Sequence, residues 1–337
     1  MLEKPDVPDE ALVACLWDDY GVSATEVVFL PLGADANTAV YRVVAEDETA
    51  LFLKVRSGGF HELVVTVPHW LNEQGVPHLI APLATRTGGL WTRVAHFTAT
   101  LYPFVAGQNG YEATLLDRHW VELGAALRDI HTAVLPPNLA RAIPGETYSP
   151  YWRAMVKGFQ AQADTTRFEE PVAARCAAFL RAKRTAIDDL VGRADQLAQA
   201  LQERPRPAVL CHADIHAGNL LVSDSGDLYL VDWDTLILAP KERDLMYVGA
   251  GLRVADTPAQ ERLFYQGYGP CAVDSVALAY YRYERIVEDI AAFCQQLLLT
   301  DEGGTDREQS LGYLASSFLP GHVLDRAYAL DQSASGQ

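Results

Sequence analysis

The sequence of 337 residues predicts an α+β chain with a small sheet-rich N-terminal lobe and a larger, mainly helical C-terminal lobe. Three observations lead to this fold class. Between residues 27 and 55, apolar runs alternate with short turns, as in a meander of antiparallel strands. After Gly110, apolar residues instead recur at the spacing of amphipathic helices. A tight hairpin is embedded in the helical half, between residues 220 and 231.

The N-terminal lobe, residues 1–102, contains most of the predicted strands. The strand-like runs cover residues 27–32, 39–44, 50–55, 90–94 and 97–105. A helical stretch over about 61–74 follows the third run, and Gly75 ends it. Residues 103–109 are predicted to link the lobes, because a Gly-Gln-Asn-Gly turn signal begins at Gly107.

The C-terminal lobe, residues 110–330, is predicted to be helical apart from the hairpin. Its first helix has an apolar stripe that consists of Trp120, Leu123, Leu127, Ile130 and Val134. Residues 171–203 and 239–299 are predicted as further helices, and 223–227 as the turn of the hairpin. We expect the tail, residues 331–337, to be frayed.

Charge and cysteine content restrict the partners and the compartment. The 27 Lys and Arg residues against 44 Asp and Glu residues give a net charge of −17, which disfavours nucleic acids and suits a cationic small molecule. The five cysteines form no C-x-x-C pair, which is typical of a reducing compartment. No apolar stretch approaches the roughly 18 residues that cross a bilayer, and the first ten residues do not resemble a signal peptide. We therefore expect a soluble, cytoplasmic protein without a membrane partner; its oligomeric state stays open, and a monomer is compatible with the sequence.

The segment that leads into the hairpin carries the clearest chemical signal. Asp214 and Asn219 are five residues apart in one loop, and Asp232 follows the returning strand. The hairpin should bring the Asn219 amide and the Asp232 carboxylate to one point, where such oxygen ligands suit Mg²⁺. Asp214, just outside this pair, is expected to orient a hydroxyl group and accept its proton. Each residue alone is explained as a turn former, but the combination favours a catalytic site.

The H-x-D-x-x-x-x-N spacing and the Asp after the hairpin resemble the aminoglycoside phosphotransferases, which share the protein-kinase-like fold. The resemblance extends over nearly the whole chain. The stretches A-P-K-E-R-D-L-M and Y-Y-R-x-E-R-I-V-E-D-I are similar to those of spectinomycin phosphotransferases, a branch of that family. The resemblance implies a bilobal kinase-like fold, ATP (or GTP) and Mg²⁺ as cofactors, and a structural bracing role for His131, His212 and His216.

Lys54 lies within an apolar strand, where an ammonium group is costly unless an anion meets it. In the kinase pattern a strand lysine contacts the nucleotide phosphates and pairs with a glutamate of the next helix, which here is Glu62. A lysine on an edge strand that faces water is the alternative. The phosphate-binding turn corresponds to residues 33–40, which contain one glycine instead of three, and its candidate residues are Gly33 and Asn37.

The resemblance also assigns a hinge that binds adenine through its backbone. The residues of this segment are Tyr102, Pro103, Phe104 and Val105. Because Pro103 has no N–H group, a neighbour such as Val105 must donate the hydrogen bond.

In the spectinomycin branch of the family that this sequence resembles, carboxylates bind the amines of the acceptor. The candidates carried over to this sequence are Asp234, Glu242, Asp244, Tyr281, Glu284 and Glu288. From spacing alone, a solvated charged face is the alternative for the last two. We therefore expect an ATP- and Mg²⁺-dependent O-phosphotransferase that acts on a cationic aminocyclitol, spectinomycin above others, and confers resistance. The alternatives are a kinase of the same fold for another aminoglycoside, a choline-like amine or a sugar, and a non-catalytic nucleotide-binding regulator.

Overall fold

The structure is a computed structural model, and it describes residues 4–32, 37–250, 254, 256–300 and 304–335. In chain order the strands are β1 (Ala24–Leu30), β2 (Thr38–Ala45), β3 (Ala50–Arg56), β4 (Thr92–Val94), β5 (Phe97–Pro103), β6 (Gly107–Asn109), β7 (Val209–Cys211), β8 (Leu220–Ser223), β9 (Leu228–Leu230) and β10 (Ile237–Ala239). The helices are α1 (Asp9–Cys15), α2 (Leu63–Glu73), α3 (Asp117–Thr132), α4 (Pro137–Ala142), α5 (Tyr151–Thr165), α6 (Pro171–Ala182), α7 (Arg184–Glu203), α8 (Glu242–Leu245), α9 (Pro258–Tyr268), α10 (Ser275–Leu299), α11 (Gly304–Ser316) and α12 (Val323–Ser335).

The chain divides into two compact units. The first consists of Met1–Ile143 and Ala217–Leu236, and the second consists of Pro144–His216 and Ile237–Gln337. The lobe boundaries expected from the sequence, with a linker at 103–109, remain a prediction.

The first unit contains an antiparallel sheet in the order β1-β2-β3-β5-β4. Alternate residues of a strand point to opposite faces, so Leu51, Leu53 and Val55 of β3 are buried in the core. Lys54 and Arg56 occupy the other face of the same strand. Because β3 lies between β2 and β5, Lys54 is not on an edge strand, and that alternative is wrong.

A second sheet of this unit has the order β6-β8-β9 and contains the predicted hairpin. The turn signal at Gly107 is in fact the start of strand β6, which pairs with β8. A Cβ atom on Gly107 would lie 2.2 Å from the Val222 carbonyl oxygen, so the close approach of the two strands requires glycine here.

In the second unit, the long helix α10 packs against α5, α6, α7, α11 and α12. The strands β7 and β10 pair antiparallel beside them, so the predicted helical region from 239 begins only at Glu242. Helices α6 and α7 confirm the prediction for 171–203. Of the predicted tail, the part to Ser335 belongs to α12, and the Asp331 carboxylate accepts hydrogen bonds from Arg193 Nε at 2.7 Å and from the Tyr283 hydroxyl at 3.0 Å. Residues 336 and 337 lie outside the described residues.

One predicted core residue is wrong. Val134 matches the helical spacing, but α3 ends at Thr132 and the Val134 side chain is 89% exposed. Across the described ranges, no helix combines the length and the apolar character that a membrane crossing requires.

Candidate active site

In the first unit, Lys54 is the centre of a group of charged side chains. Its Nζ atom lies 3.1 Å from Asp232 Oδ1 and 3.2 Å from Asp234 Oδ2. Arg56, on the same face of β3, donates from Nη1 to Asp234 Oδ2 at 2.7 Å. Burial lowers the pKa of Lys54, but the two carboxylates outweigh it and raise the pKa above its ordinary value, so the ammonium stays charged.

Both carboxylates come from the loop after β9, and the hairpin explains their position. Leu220 and Leu230 pair across β8 and β9, and the Val231 N–H group donates to the Asn219 carbonyl at 3.0 Å. Asn219 directly precedes β8, so it lies at the same end of the hairpin as Asp232. The φ angle of Asp232 is 65°, a left-handed conformation that few non-glycine residues adopt and that is concentrated at functional sites.

A small cleft lies on the face of the sheet that carries Lys54. It is lined by Lys54, Arg56, Phe60, Val64, Val65, Thr98, Thr100, Tyr102 and Asp234. The cleft therefore combines apolar walls with cationic side chains, as a nucleotide site requires.

The predicted hinge continues from this cleft. Tyr102 is paired with Phe52 in the sheet, and the Phe104 N–H group donates to the Ala50 carbonyl at 3.2 Å. Within the described part of the chain, the Val105 N–H group has no backbone partner. Val105 is therefore suitably placed as the adenine donor, and this role remains a prediction.

The expected partner of Lys54 is not the observed one. Glu62 is exposed just before α2, and the structure pairs Lys54 with Asp232 and Asp234 instead. The reason is geometric, because the loop after β9 brings two carboxylates directly to the lysine. Of the predicted phosphate turn, Gly33 lies outside the described residues, and the Asn37 carbonyl accepts the Ser57 N–H group at 2.8 Å.

In the second unit, Asp214 lies in the loop that follows β7. The buried Asp244 carboxylate holds this loop, since it accepts the N–H groups of His212 at 3.0 Å and Ala213 at 2.6 Å. Ala213 has a φ angle of 70°, and Asp244 fixes this unusual backbone from outside the loop. The buried His212 accepts the Asp214 N–H group on Nδ1 at 3.3 Å, which fits a bracing role.

Charged and polar side chains of the second unit contact the Asp214 carboxylate. Arg285 Nη1 and the Tyr247 hydroxyl donate to its Oδ1 atom at 2.7 and 2.9 Å, and His216 Nε2 lies 3.6 Å from Oδ2. Burial raises the pKa of Asp214, but Arg285, His216 and Tyr247 together lower it below its ordinary value. The carboxylate is therefore ionised at neutral pH.

Two acceptor candidates have structural partners instead. Glu242 is 2% exposed, and its Oε1 atom accepts the Asp274 N–H group and the Lys241 ammonium group, each at 2.9 Å. Asp244 is 0% exposed and holds the loop that carries Asp214. The predicted contacts of Glu242 and Asp244 with an acceptor remain predictions.

On α10, Glu284 and Tyr281 are also buried. Glu284 Oε2 lies 2.6 Å from the buried Arg153 Nη1, and burial raises the pKa of Glu284 to about 7 despite that guanidinium. The Tyr281 ring packs under the guanidinium of Arg243, 5.6 Å from its centroid. Glu288 on the same helix is partly exposed, and the contacts of these three residues with an acceptor remain predictions.

The remaining candidates separate by unit. Asp234 belongs to the Lys54 group, where two cations already hold it, so it does not match an acceptor contact. His131 is buried in α3 of the first unit.

Sequence reasoning did not assign Arg56, although its position two residues after Lys54 places both on one strand face. Arg285 was not assigned either.

Comparisons with known proteins show the family and the fold of the chain. The model of a phosphotransferase enzyme family, APH, matches residues 28–285. The solved structure of spectinomycin phosphotransferase APH(9)-Ia, in complex with ADP and spectinomycin, is 35% identical; the match covers 96% of this chain and 98% of that chain, with a TM-score of 0.88. Protein StrN of Streptomyces griseus is 27% identical over 227 residues, which are 64% of this chain and 67% of StrN.

A more distant structure shows the same fold. The amicoumacin kinase hAmiN is 16% identical, with a TM-score of 0.61 over 96% of this chain and 93% of that chain. These findings confirm the predicted protein-kinase-like α+β fold and the predicted enzyme class. The chain belongs to the APH phosphotransferase enzyme family.

Proposed function

We propose that this phosphotransferase transfers the γ-phosphoryl group of ATP to a hydroxyl group of spectinomycin, an activity that confers resistance. The observation that carries the proposal is the similarity, over 96% of the chain and at 35% identity, to a phosphotransferase solved with ADP and spectinomycin. The net charge of −17 is consistent with a cationic acceptor.

In this proposal Lys54 contacts the α- and β-phosphates of the nucleotide, and residues 102–105 bind the adenine. The support is the position of the ammonium group, which lines the cleft and is kept charged by carboxylates. Asp234 holds Lys54 in place, and Arg56 holds Asp234 in turn.

Asn219 and Asp232 are the residues that would hold Mg²⁺. Their donor set fits this ion, because an amide and a carboxylate oxygen are hard ligands and both residues lie at one end of the hairpin. The Asp232 carboxylate already accepts a cationic group, the Lys54 ammonium, at 3.1 Å. When bound, the metal neutralises charge on the nucleotide phosphates.

Asp214 is proposed to orient the acceptor hydroxyl group. It accepts the hydroxyl proton as the new oxygen–phosphorus bond forms and the bond between the γ-phosphorus and the bridging oxygen of ADP breaks. The ionised state of its carboxylate supports this role. His131, His212 and His216 brace the structure, and Glu288 is the candidate partner of an acceptor amine.

The test is an assay of ADP release by the purified protein with ATP, Mg²⁺ and a panel of spectinomycin, kanamycin and choline. We expect turnover with spectinomycin, and a loss of about 100-fold or more in kcat for Asp214→Asn. Asp224→Asn, an exposed change in the hairpin turn, is the matched control and should stay within about twofold.

The outcomes separate the parts of the proposal. Turnover of kanamycin or choline without turnover of spectinomycin would show that the protein is a kinase with a different acceptor. Full activity of Asp214→Asn would contradict the mechanism.

A further inference from the structure

The Asp214 carboxylate is held at one oxygen atom by two side chains of its own unit. Arg285 Nη1 donates to Oδ1 at 2.7 Å, and the Tyr247 hydroxyl donates to the same atom at 2.9 Å. Arg285 Nη1 also lies 3.0 Å from the Tyr247 oxygen. Each of the three side chains therefore contacts the other two, and these contacts fix the rotation of the carboxylate more firmly than one hydrogen bond can.

Arg285 is itself fixed in place. Its Nε atom lies 3.0 Å from Asp289 Oδ1, one turn further along α10. Its guanidinium packs over the Tyr247 ring, 5.8 Å from the centroid. The ion pair with Asp289 and the packing against Tyr247 together keep the guanidinium beside Asp214.

The electrostatic environment agrees with this geometry. The groups that lower the pKa of the Asp214 carboxyl are Arg285 from α10, Tyr247 from the segment after α8, and His216 and His212 from its own loop. Asp289 of α10 is a like charge that also interacts with Asp214. Burial lowers the pKa of Arg285, but its acidic and phenolic neighbours outweigh it and raise the pKa well above its ordinary value. The guanidinium therefore stays charged whenever Asp214 is ionised.

We propose that Arg285 is a positioning residue for the reaction, which orients the Asp214 carboxylate towards the acceptor hydroxyl group. This inference rests on the proposed function, in which Asp214 orients that hydroxyl and accepts its proton. If the ion pair only stabilised the fold, its loss would lower the melting temperature and would not shift the pH dependence of turnover. A positioning residue instead affects kcat and the ionisation of the base, and leaves nucleotide binding unchanged.

The variant Arg285→Gln removes the charge and the Nη1 donor and keeps the unbranched stem of the side chain as far as the Nε position. We expect kcat for spectinomycin phosphorylation to fall about 10- to 100-fold, as for the loss of a hydrogen bond to a charged group, with the KM for ATP within about threefold. The acidic limb of the kcat/KM profile should move to higher pH, because loss of the neighbouring cation raises the pKa of Asp214. Arg285→Lys should restore the position of the acidic limb and part of kcat.

Two further variants separate positioning from folding. Tyr247→Phe removes the hydroxyl group that contacts Asp214, Arg285 Nη1 and the Ala213 carbonyl, keeps the ring, and should lower kcat in the same direction. Arg282→Gln is the matched control on α10, since Arg282 is buried and donates to the carbonyls of Met246 and Val248 without contact to Asp214. It should reduce the melting temperature without moving the acidic limb.

The result that would overturn the inference is an Arg285→Gln enzyme with the kcat and acidic limb of the wild type. A loss of kcat in Arg285→Gln that only follows the fall in melting temperature and equals the loss in Arg282→Gln would overturn it too. In both cases wild-type turnover and an inactive Asp214→Asn would leave the proposed function intact. Absence of wild-type turnover with every acceptor would overturn the proposed function and this inference together.

Discussion

Replacement of Asp234 by asparagine removes the carboxylate that holds Lys54 and Arg56 while it keeps the shape of the side chain. Asp234 Oδ2 lies 3.2 Å from Lys54 Nζ and 2.7 Å from Arg56 Nη1. A hydrogen bond to a charged group contributes about 1.5–3 kcal/mol, and the lower end of that range applies because the Asp234 side chain is 24% exposed. Since about 1.4 kcal/mol is a factor of ten, we expect the KM for ATP to rise about 10- to 30-fold.

The assay is ADP release at saturating spectinomycin with ATP varied. Glu62→Gln is the matched control, because the kinase pattern predicts Glu62 as the partner of Lys54 and the structure leaves it exposed. We expect Glu62→Gln to change the KM for ATP by less than about twofold, with unchanged circular dichroism in both variants. If Glu62→Gln raises the KM as much as Asp234→Asn does, Glu62 is the working partner of Lys54 and the reasoning is refuted.

Two further predictions concern buried carboxylates of the second unit. Asp244→Asn should lower the free energy of unfolding by about 1–3 kcal/mol, because its buried carboxylate accepts the N–H groups of His212 and Ala213; an unchanged urea midpoint would contradict this. Asp331→Asn should lower that free energy by about 1–2 kcal/mol at pH 7, because two nitrogens of Arg193 hold the carboxylate at 2.7 Å each. The hydrogen bonds from Arg193 keep the pKa of Asp331 below its ordinary value, so this contribution is present above about pH 4 and is lost as the pH falls through the lowered pKa. Thermal melts from pH 7 to pH 3 should show the wild type and Asp331→Asn converging, and a constant difference would contradict the assignment.

Sequence patterns predicted those strands and helices whose formation depends on residues close to them in the sequence. Strand β3 was expected at 50–55 and covers Ala50–Arg56, and α2 was expected at 61–74 and covers Leu63–Glu73. Strand β6 was missed because Gly107 is a turn signal locally, whereas its close contact with β8 depends on residues more than a hundred positions away. Val134 was misplaced because helical periodicity carries no stop signal, and the backbone already becomes extended at Ala133.

The same distinction applies to the site. Asp214, Asn219 and Asp232 could be predicted because the loop and the hairpin that position them are continuous in sequence. The partner of Lys54 could not, since Asp234 reaches it from 180 residues away. The contacts of Asp244 could not be predicted either, because only tertiary packing shows that its carboxylate is buried against the loop that carries Asp214.

The identity of the acceptor is the central claim, and mass spectrometry of the reaction product tests it most directly. The purified protein, incubated with ATP, Mg²⁺ and spectinomycin, is predicted to give spectinomycin with one added phosphoryl group, in an amount equal to the ADP released. Unmodified spectinomycin, in a preparation that phosphorylates choline or kanamycin under the same conditions, would contradict it.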